Sequence, residues 1–269
     1  MERIKQALER ARAERESKQP PFIRTKKERT TYSSRQSPPA EPINYSETRQ
    51  IDIAQEHLKS QRIIAHQQHS KFAESYKILR TQILQRLNEH KWNVLAITSP
   101  GEGDGKTTTA VNLATSLAQE VGYTVLLIDA NLRNPGVHLQ LGITSDKGLS
   151  DFLLSDTPIS ELMVHPKGME DLTLIPSGKT IHNSSEMLNS PKMSQLVEEL
   201  KSRYPKRIII FDLPPVLEAS DAIAFIPHVD AALLVVADDE TKKSDITRAL
   251  DLMSATNIIG TVLNKSQAT

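Results

Sequence analysis

Ser99-Pro-Gly-Glu-Gly-Asp-Gly-Lys106-Thr-Thr-Thr109 decides how the rest of this chain is read. No glycine precedes Gly101; glycines then stand at 101, 103 and 105, with Lys106 and Thr107 immediately after. Glycine admits positive φ, so successive backbone N–H groups turn inward and form a concavity for anionic oxygens. In such a loop Lys106 sets a point charge against β- and γ-phosphates, and Thr107 offers a hydroxyl to Mg2+. Glu102, Asp104 and Thr108 complete the candidate cradle with Gly101, Gly103 and Gly105. The strict motif has glycine where this chain has Pro100, so the loop is a variant.

The flanks support the loop. Asn93-Val-Leu-Ala-Ile-Thr98 reads as a buried strand, and Thr107–Gln119 as a helix with Val111, Leu113, Ala114, Leu117 and Ala118 free to pack. Strand, glycine loop and helix together aim the positive end of the helix dipole at the phosphates. A nucleoside-triphosphate site follows, with Mg2+ beside it.

Further out, strands are expected at 123–129, 171–175, 207–212, 231–237 and 258–263. Helices are expected at 70–89, with Ser70 as cap, and at 149–154, 184–202, 220–226 and 244–254. Near-continuous apolar strands alternating with helices indicate an α/β fold, a P-loop NTPase with a mainly parallel sheet covered by helices on both faces.

Composition separates a body from an appendage. Residues 1–50 hold 12 Lys/Arg against 7 Glu, no Asp, no Gly and five prolines. The whole chain has 33 residues of each sign, so the remainder carries 21 basic against 26 acidic side chains. Residues 18–50 are too polar to offset their ordering entropy and read as disordered. The domain boundary is therefore expected near residue 60, with a mostly disordered basic tail over 1–60, a short helix within Met1–Glu16, and the ATPase body over 61–269. The mildly acidic body argues against nucleic-acid binding. Zero cysteines exclude disulfides and thiolate metal sites. No apolar run approaches the ~18 residues of a membrane span, and no secretory leader opens the chain, which makes the cytoplasm the expected compartment.

Two apolar strands end in carboxylates. Ile208-Ile-Ile-Phe-Asp212 stops at Leu213-Pro-Pro215, and Leu126-Leu-Ile-Asp129 runs into Ala130-Asn-Leu-Arg133. A carboxylate at the carboxyl end of a parallel strand, next to a phosphate loop, is where a Mg2+ ligand is expected. Asp129 and Asp212 join Thr107 as candidate metal ligands.

Ser99–Thr108, Leu126–Pro135 and Ile208–Pro215 together resemble the bacterial tyrosine kinase (BY-kinase) cytoplasmic domain, a relative of the MinD/ParA ATPases, over residues 60–265. Leu174–Gly178, Ser185–Leu188 and Asp221 fit the same pattern. The resemblance implies ATP as the nucleotide, and with it a protein-tyrosine autokinase that regulates capsule or exopolysaccharide polymerisation and export. It implies catalytic roles for Lys106, Asp129, Arg133 and Asp212, and adenine contact by Asn264. Glu74-Ser-Tyr-Lys77-Ile-Leu-Arg80 resembles the family's ring-assembly helix, with Lys77 in place of an arginine; periodicity alone reads the same residues as a solvated charged face. The implied partner is a membrane-embedded co-polymerase or chain-length protein, which would hold the kinase at the inner face of the membrane, and the implied state is a homo-oligomer.

Three departures stand out. The family's Asp-x-Asp becomes Asp129-Ala-Asn131, which removes a charge. Its C-terminal tyrosine cluster is missing, which leaves Tyr32 and Tyr45 as acceptor candidates, because Tyr76, Tyr123 and Tyr204 fall in or beside structural elements. Gly101 stands where MinD/ParA proteins carry their signature lysine. A non-kinase ATP-binding assembly factor of the same machinery, and a MinD/ParA-like positioning ATPase, are the alternative readings.

Overall fold

A computed structural model describes residues 48–266 except 68, 69, 170 and 205; the helix expected near Met1–Glu16 and both Tyr32 and Tyr45 lie outside the described residues. One eight-stranded sheet organises them, in the order β1-β4-β5-β3-β6-β2-β7-β8. Its strands are β1 (Arg49–Ile51), β2 (Val94–Thr98), β3 (Thr124–Asp129), β4 (Val164–Pro166), β5 (Leu172–Ile175), β6 (Arg207–Asp212), β7 (Ala231–Ala237) and β8 (Asn257–Asn264). Every pairing is parallel except β4 with β5.

The helices are α1 (Gln55–Ser60), α2 (Lys71–His90), α3 (Lys106–Leu117), α4 (Val137–Leu141), α5 (Leu149–Ser155), α6 (Ile159–Leu162), α7 (Ser184–Leu188), α8 (Pro191–Arg203), α9 (Ser220–Phe225) and α10 (Lys243–Leu252). Side chains of the central strands alternate between two apolar layers. Ala96, Leu126, Ile128, Ile209 and Phe211 pack with α7, α8 and α9 on one face; Leu95, Ile97, Leu127 and Ile210 pack with α2 and α3 on the other. Residues Val94–Thr98 and Ala231–Ala237 are buried throughout, as strands covered on both faces must be.

Three differences from the sequence reading have physical causes. β1 and α1 fall before residue 61, inside the segment read as tail: β1 joins the sheet edge through backbone pairing to β4, and Leu58 of α1 is fully buried. The expected helix over 184–202 is two helices, because Ser190 caps α8 by accepting from the Met193 N–H and Pro191 occupies its first turn. Ser70 precedes α2 in extended conformation but makes no side-chain cap.

Among the described residues no helix is long and apolar enough to cross a membrane.

Candidate functional site

β2 stands between β6 and β7 inside the sheet, and its carboxyl end feeds the glycine loop. Gly103 and Gly105 adopt φ of +82° and +91°, the left-handed region that the sequence pattern requires. Gly105 has a second constraint: a Cβ there would fall 2.0 Å from Asn264 Nδ2. The loop then enters α3, whose residues from Thr109 to Leu117 are all buried.

Asp104 ties the loop down. Its Oδ2 accepts from Gly101 N–H at 2.9 Å, and its Oδ1 accepts from the Thr241 hydroxyl at 2.8 Å. Its backbone carbonyl accepts from Asn264 Nδ2 at 2.9 Å. The Asp104 side chain therefore staples the loop to Thr241, just after β7, and its backbone carbonyl ties the loop to Asn264 at the end of β8. Asn264 sits against the loop at the end of β8. Thr108 is turned sideways, its hydroxyl 3.3 Å from Gln140 Oε1 on α4.

Asp129 and Asp212 come together at the carboxyl ends of β3 and β6. The Thr107 hydroxyl donates to Asp212 Oδ2 at 2.7 Å, and Lys106 Nζ lies 3.4 Å from the same hydroxyl. Asp212 Oδ1 is buried and, among the described residues, has no hydrogen-bond partner. Burial pushes the Asp212 carboxyl up, while the Lys106 charge and the Thr107 hydroxyl pull it back. Asp129 is raised to about 7, first by burial and then by the charge of Asp212, against the pull of the Val137, Gly136 and Asn131 amides. Those amides occupy it: Oδ2 accepts from Gly136 and Val137 at 3.0 Å each, and Oδ1 from Asn131 at 3.2 Å. Gly136 also brings this turn against Thr107, since a Cβ there would stand 3.2 Å from the Thr107 methyl.

A divalent cation fits this arrangement at Thr107 and Asp212: a hydroxyl and a carboxylate are hard oxygen donors, and the orphaned Oδ1 is a buried acceptor without a proton donor. Asp129 faces the same site with three backbone amides already on its two oxygens, Oδ1 holding only one of them.

The rim is laced by side chains from three loops. Glu218 Oε1 accepts from Glu102 N–H at 2.6 Å. Glu102 Oε1 in turn accepts from Asn134 Nδ2 at 3.0 Å, and Asn134 N–H donates to Asn131 Oδ1 at 3.3 Å. Arg133 Nε pairs with the fully buried Asp221 carboxylate at 2.9 Å. Glu218, Asn134 and Thr241 escaped the sequence reading because their partners lie 32 to 137 residues away. Asp221, after the Pro-Pro turn, carried a readable signal.

Glu74 and Lys77 pair at 3.1 Å on the exposed face of α2. Arg80 departs from them. Its guanidinium donates to Ser116 O at 2.9 Å and pairs with Glu120 at 3.2 Å, folding it onto the end of α3, whose last carbonyls lack helical donors. Among the described tyrosines, Tyr123 bonds Asn88, and the Arg207 guanidinium lies 4.2 Å from the centre of the Tyr204 ring.

The AAA domain family model matches residues 92–254. The chain is 33% identical over 194 residues to tyrosine-protein kinase YwqD of Bacillus subtilis, covering 71% of this chain and 80% of that one. It is 34% identical over 201 residues to tyrosine-protein kinase CpsD of Streptococcus pneumoniae, covering 72% and 85%. The solved kinase domain of Escherichia coli tyrosine kinase ETK superposes with a TM-score of 0.69 at 28% identity, over 77% of this chain and 82% of that one.

Proposed function

The chain belongs to the bacterial tyrosine-kinase family of AAA-domain proteins, and from that membership we propose that it moves the γ-phosphoryl group of ATP to tyrosine hydroxyls of its own kind. One observation carries the assignment of roles: Thr107 and Asp212 are joined at 2.7 Å beside Lys106, and Asp212 keeps one buried oxygen without a partner. Amides of the 101–107 loop and the Lys106 ammonium bind the phosphates. Thr107 and Asp212 would hold Mg2+, which would supply positive charge to offset that developing on the transferred phosphoryl group. Asp129 fixes the 131–137 turn and shapes the field at the pair. Arg133, anchored on Asp221, faces the rim as a charge for the terminal phosphate or a neighbouring copy. Phosphoryl transfer through a loose transition state asks the protein mainly for positioning and charge compensation, which this set provides.

Asn264 is assigned to the adenine end of the nucleotide, since its side chain already abuts the loop at Gly105. Glu74 and Lys77 are assigned to contacts between copies. Tyr32 and Tyr45 are the proposed acceptors, and a membrane-embedded co-polymerase of a polysaccharide export system is the proposed partner, holding the kinase at the inner membrane face.

The test is intact-mass and peptide spectrometry of the protein after incubation with ATP and Mg2+, beside Lys106→Met. Phosphotyrosine that depends on Lys106 is the expected result. Nucleotide binding without transfer, with or without the partner's cytoplasmic segment, would move the protein to an ATP-bound assembly factor.

A further inference from the structure

A phosphate loop needs its N–H groups aimed inward, and glycine alone does not aim them. Turning over the peptide that joins Asp104 to Gly105 changes ψ of the first and φ of the second, and glycine accepts φ of either sign. The observed φ of +91° is therefore a choice that the glycine permits and does not enforce.

A contact from outside the loop makes that choice. Asn264 Nδ2 donates to Asp104 O at 2.9 Å, and a carbonyl only accepts, so the nitrogen of Asn264 must face it. Asn264 is itself fixed at the end of β8: it pairs with Ala237 of β7, and its carbonyl accepts from Asp238 N–H at 2.8 Å. The Asp104 side chain, held by Gly101 N–H and the Thr241 hydroxyl, restrains the same residue from a second direction.

In a trans peptide the C=O and N–H point opposite ways, and no peptide among the described residues is cis. With its carbonyl drawn toward β8, the Asp104–Gly105 unit sends its N–H away from β8. The strand order puts β6 on that side of β2, with Asp212 and its bond to Thr107. Among the described residues nothing accepts from the Gly105 N–H. The Glu102 amide is the contrast. Ser99 Oγ donates to Gly101 O at 2.7 Å and restrains that peptide in the same manner, but Glu218 already fills its N–H.

We propose that Asn264 is a positioning residue of the phosphate site: by holding the Asp104 carbonyl it keeps the Gly105 N–H open and aimed at the phosphates. This rests on the nucleotide reading of the loop. The role is separate from contact with adenine, for which Asn264 keeps its Oδ1 and its second Nδ2 hydrogen.

Asp104-Gly105 is the only Asp-Gly pair in the sequence. The full-length chain labelled with 13C-carbonyl aspartate and 15N-glycine therefore gives a single carbonyl-to-amide correlation, from this peptide. On addition of Mg2+ and inorganic tripolyphosphate, which carries no base, its amide proton is expected to move downfield. Asn264→Leu keeps much of the side chain's bulk without the donor, and Asn264→Ala removes donor and bulk together. Both are expected to shift the Asp104 carbonyl signal and to lose the downfield movement, while the Gly122 and Gly168 amides keep their positions. Both are expected to bind tripolyphosphate about tenfold more weakly, and a non-hydrolysable ATP analogue at least that much more weakly. A Gly105 amide that tripolyphosphate leaves unmoved, variants with full tripolyphosphate affinity, or a loss confined to the ATP analogue would each overturn the proposal. Displaced Gly122 and Gly168 signals in both variants would do the same, by assigning Asn264 to the fold. An unaltered chain that binds neither ligand would instead refute the nucleotide reading, and this one with it.

Discussion

Asp129 and Asp212 are directly opposite partners in the register of β3 and β6, both side chains fully buried at the carboxyl edge of the sheet. Burial raises both carboxyls, and the charge of Asp212 adds to the burial of Asp129, which is pushed to about 7.

That shift makes the metal-free protein pH-sensitive in a defined sense. A carboxyl whose folded pKa lies above its unfolded value contributes stability that is complete below about 4 and lost as pH rises through about 7. Between pH 6 and pH 8 the loss is about 1 kcal/mol, or about 3 °C for a chain of this size. Thermal denaturation in a chelator is expected to show the lower Tm at pH 8. Saturation with Mg2+ and ATP is expected to flatten the dependence, because positive charge held at Thr107 and Asp212 would stabilise the ionised carboxylates.

Thr241→Val tests the staple on the phosphate loop. It keeps the shape of the side chain and removes the hydroxyl that Asp104 Oδ1 accepts from at 2.8 Å. Leaving a buried carboxylate oxygen short of a donor costs about 1–3 kcal/mol. Chemical denaturation is expected to report that loss and nucleotide titration a severalfold weaker affinity.

Gly105→Ala tests the cradle itself. The new methyl meets Asn264 Nδ2 at 2.0 Å on a backbone with φ of +91°. The strain of a left-handed alanine adds about 1–2 kcal/mol to the displacement of Asn264. Binding of ATP is expected to fall at least tenfold while the far-UV spectrum stays unchanged.

Arg133→Ala leaves Asp221 buried with its charge uncompensated, which is expected to lower stability by about 2 kcal/mol. Asp221→Asn added to that background is expected to recover part of the loss. A double-mutant cycle by denaturant melting checks both.

The sheet and the phosphate loop were legible because their signals are local. β2, β3, β6 and β7 are short apolar runs, two of them closed by Asp129 and Asp212, and the loop announces itself by glycine spacing. β1 and β4 were not legible. Each has three residues, too few for a period, and β1 owes its existence to backbone pairing with β4 at the sheet edge. α4 likewise has five residues. The rim was the least readable part, because Glu218 meets Glu102 across 116 positions and Thr241 meets Asp104 across 137. The inward turn of Arg80 was not legible for a related reason: the spacing of Glu74, Lys77 and Arg80 defines a helix face, and only the packing of α2 on α3 decides which member turns inward.

α3 is buried from Thr109 to Leu117, on every side and not along one stripe. A helix wedged in this way cannot rotate or slide without disturbing both the sheet and α2. It serves as the anvil of the molecule, a fixed reference on which Lys106 and Thr107 stand whatever the nucleotide does. News of an occupied site must then leave by another route, through the exposed links among Glu102, Glu218 and Asn134, where the loops meet solvent and neighbours.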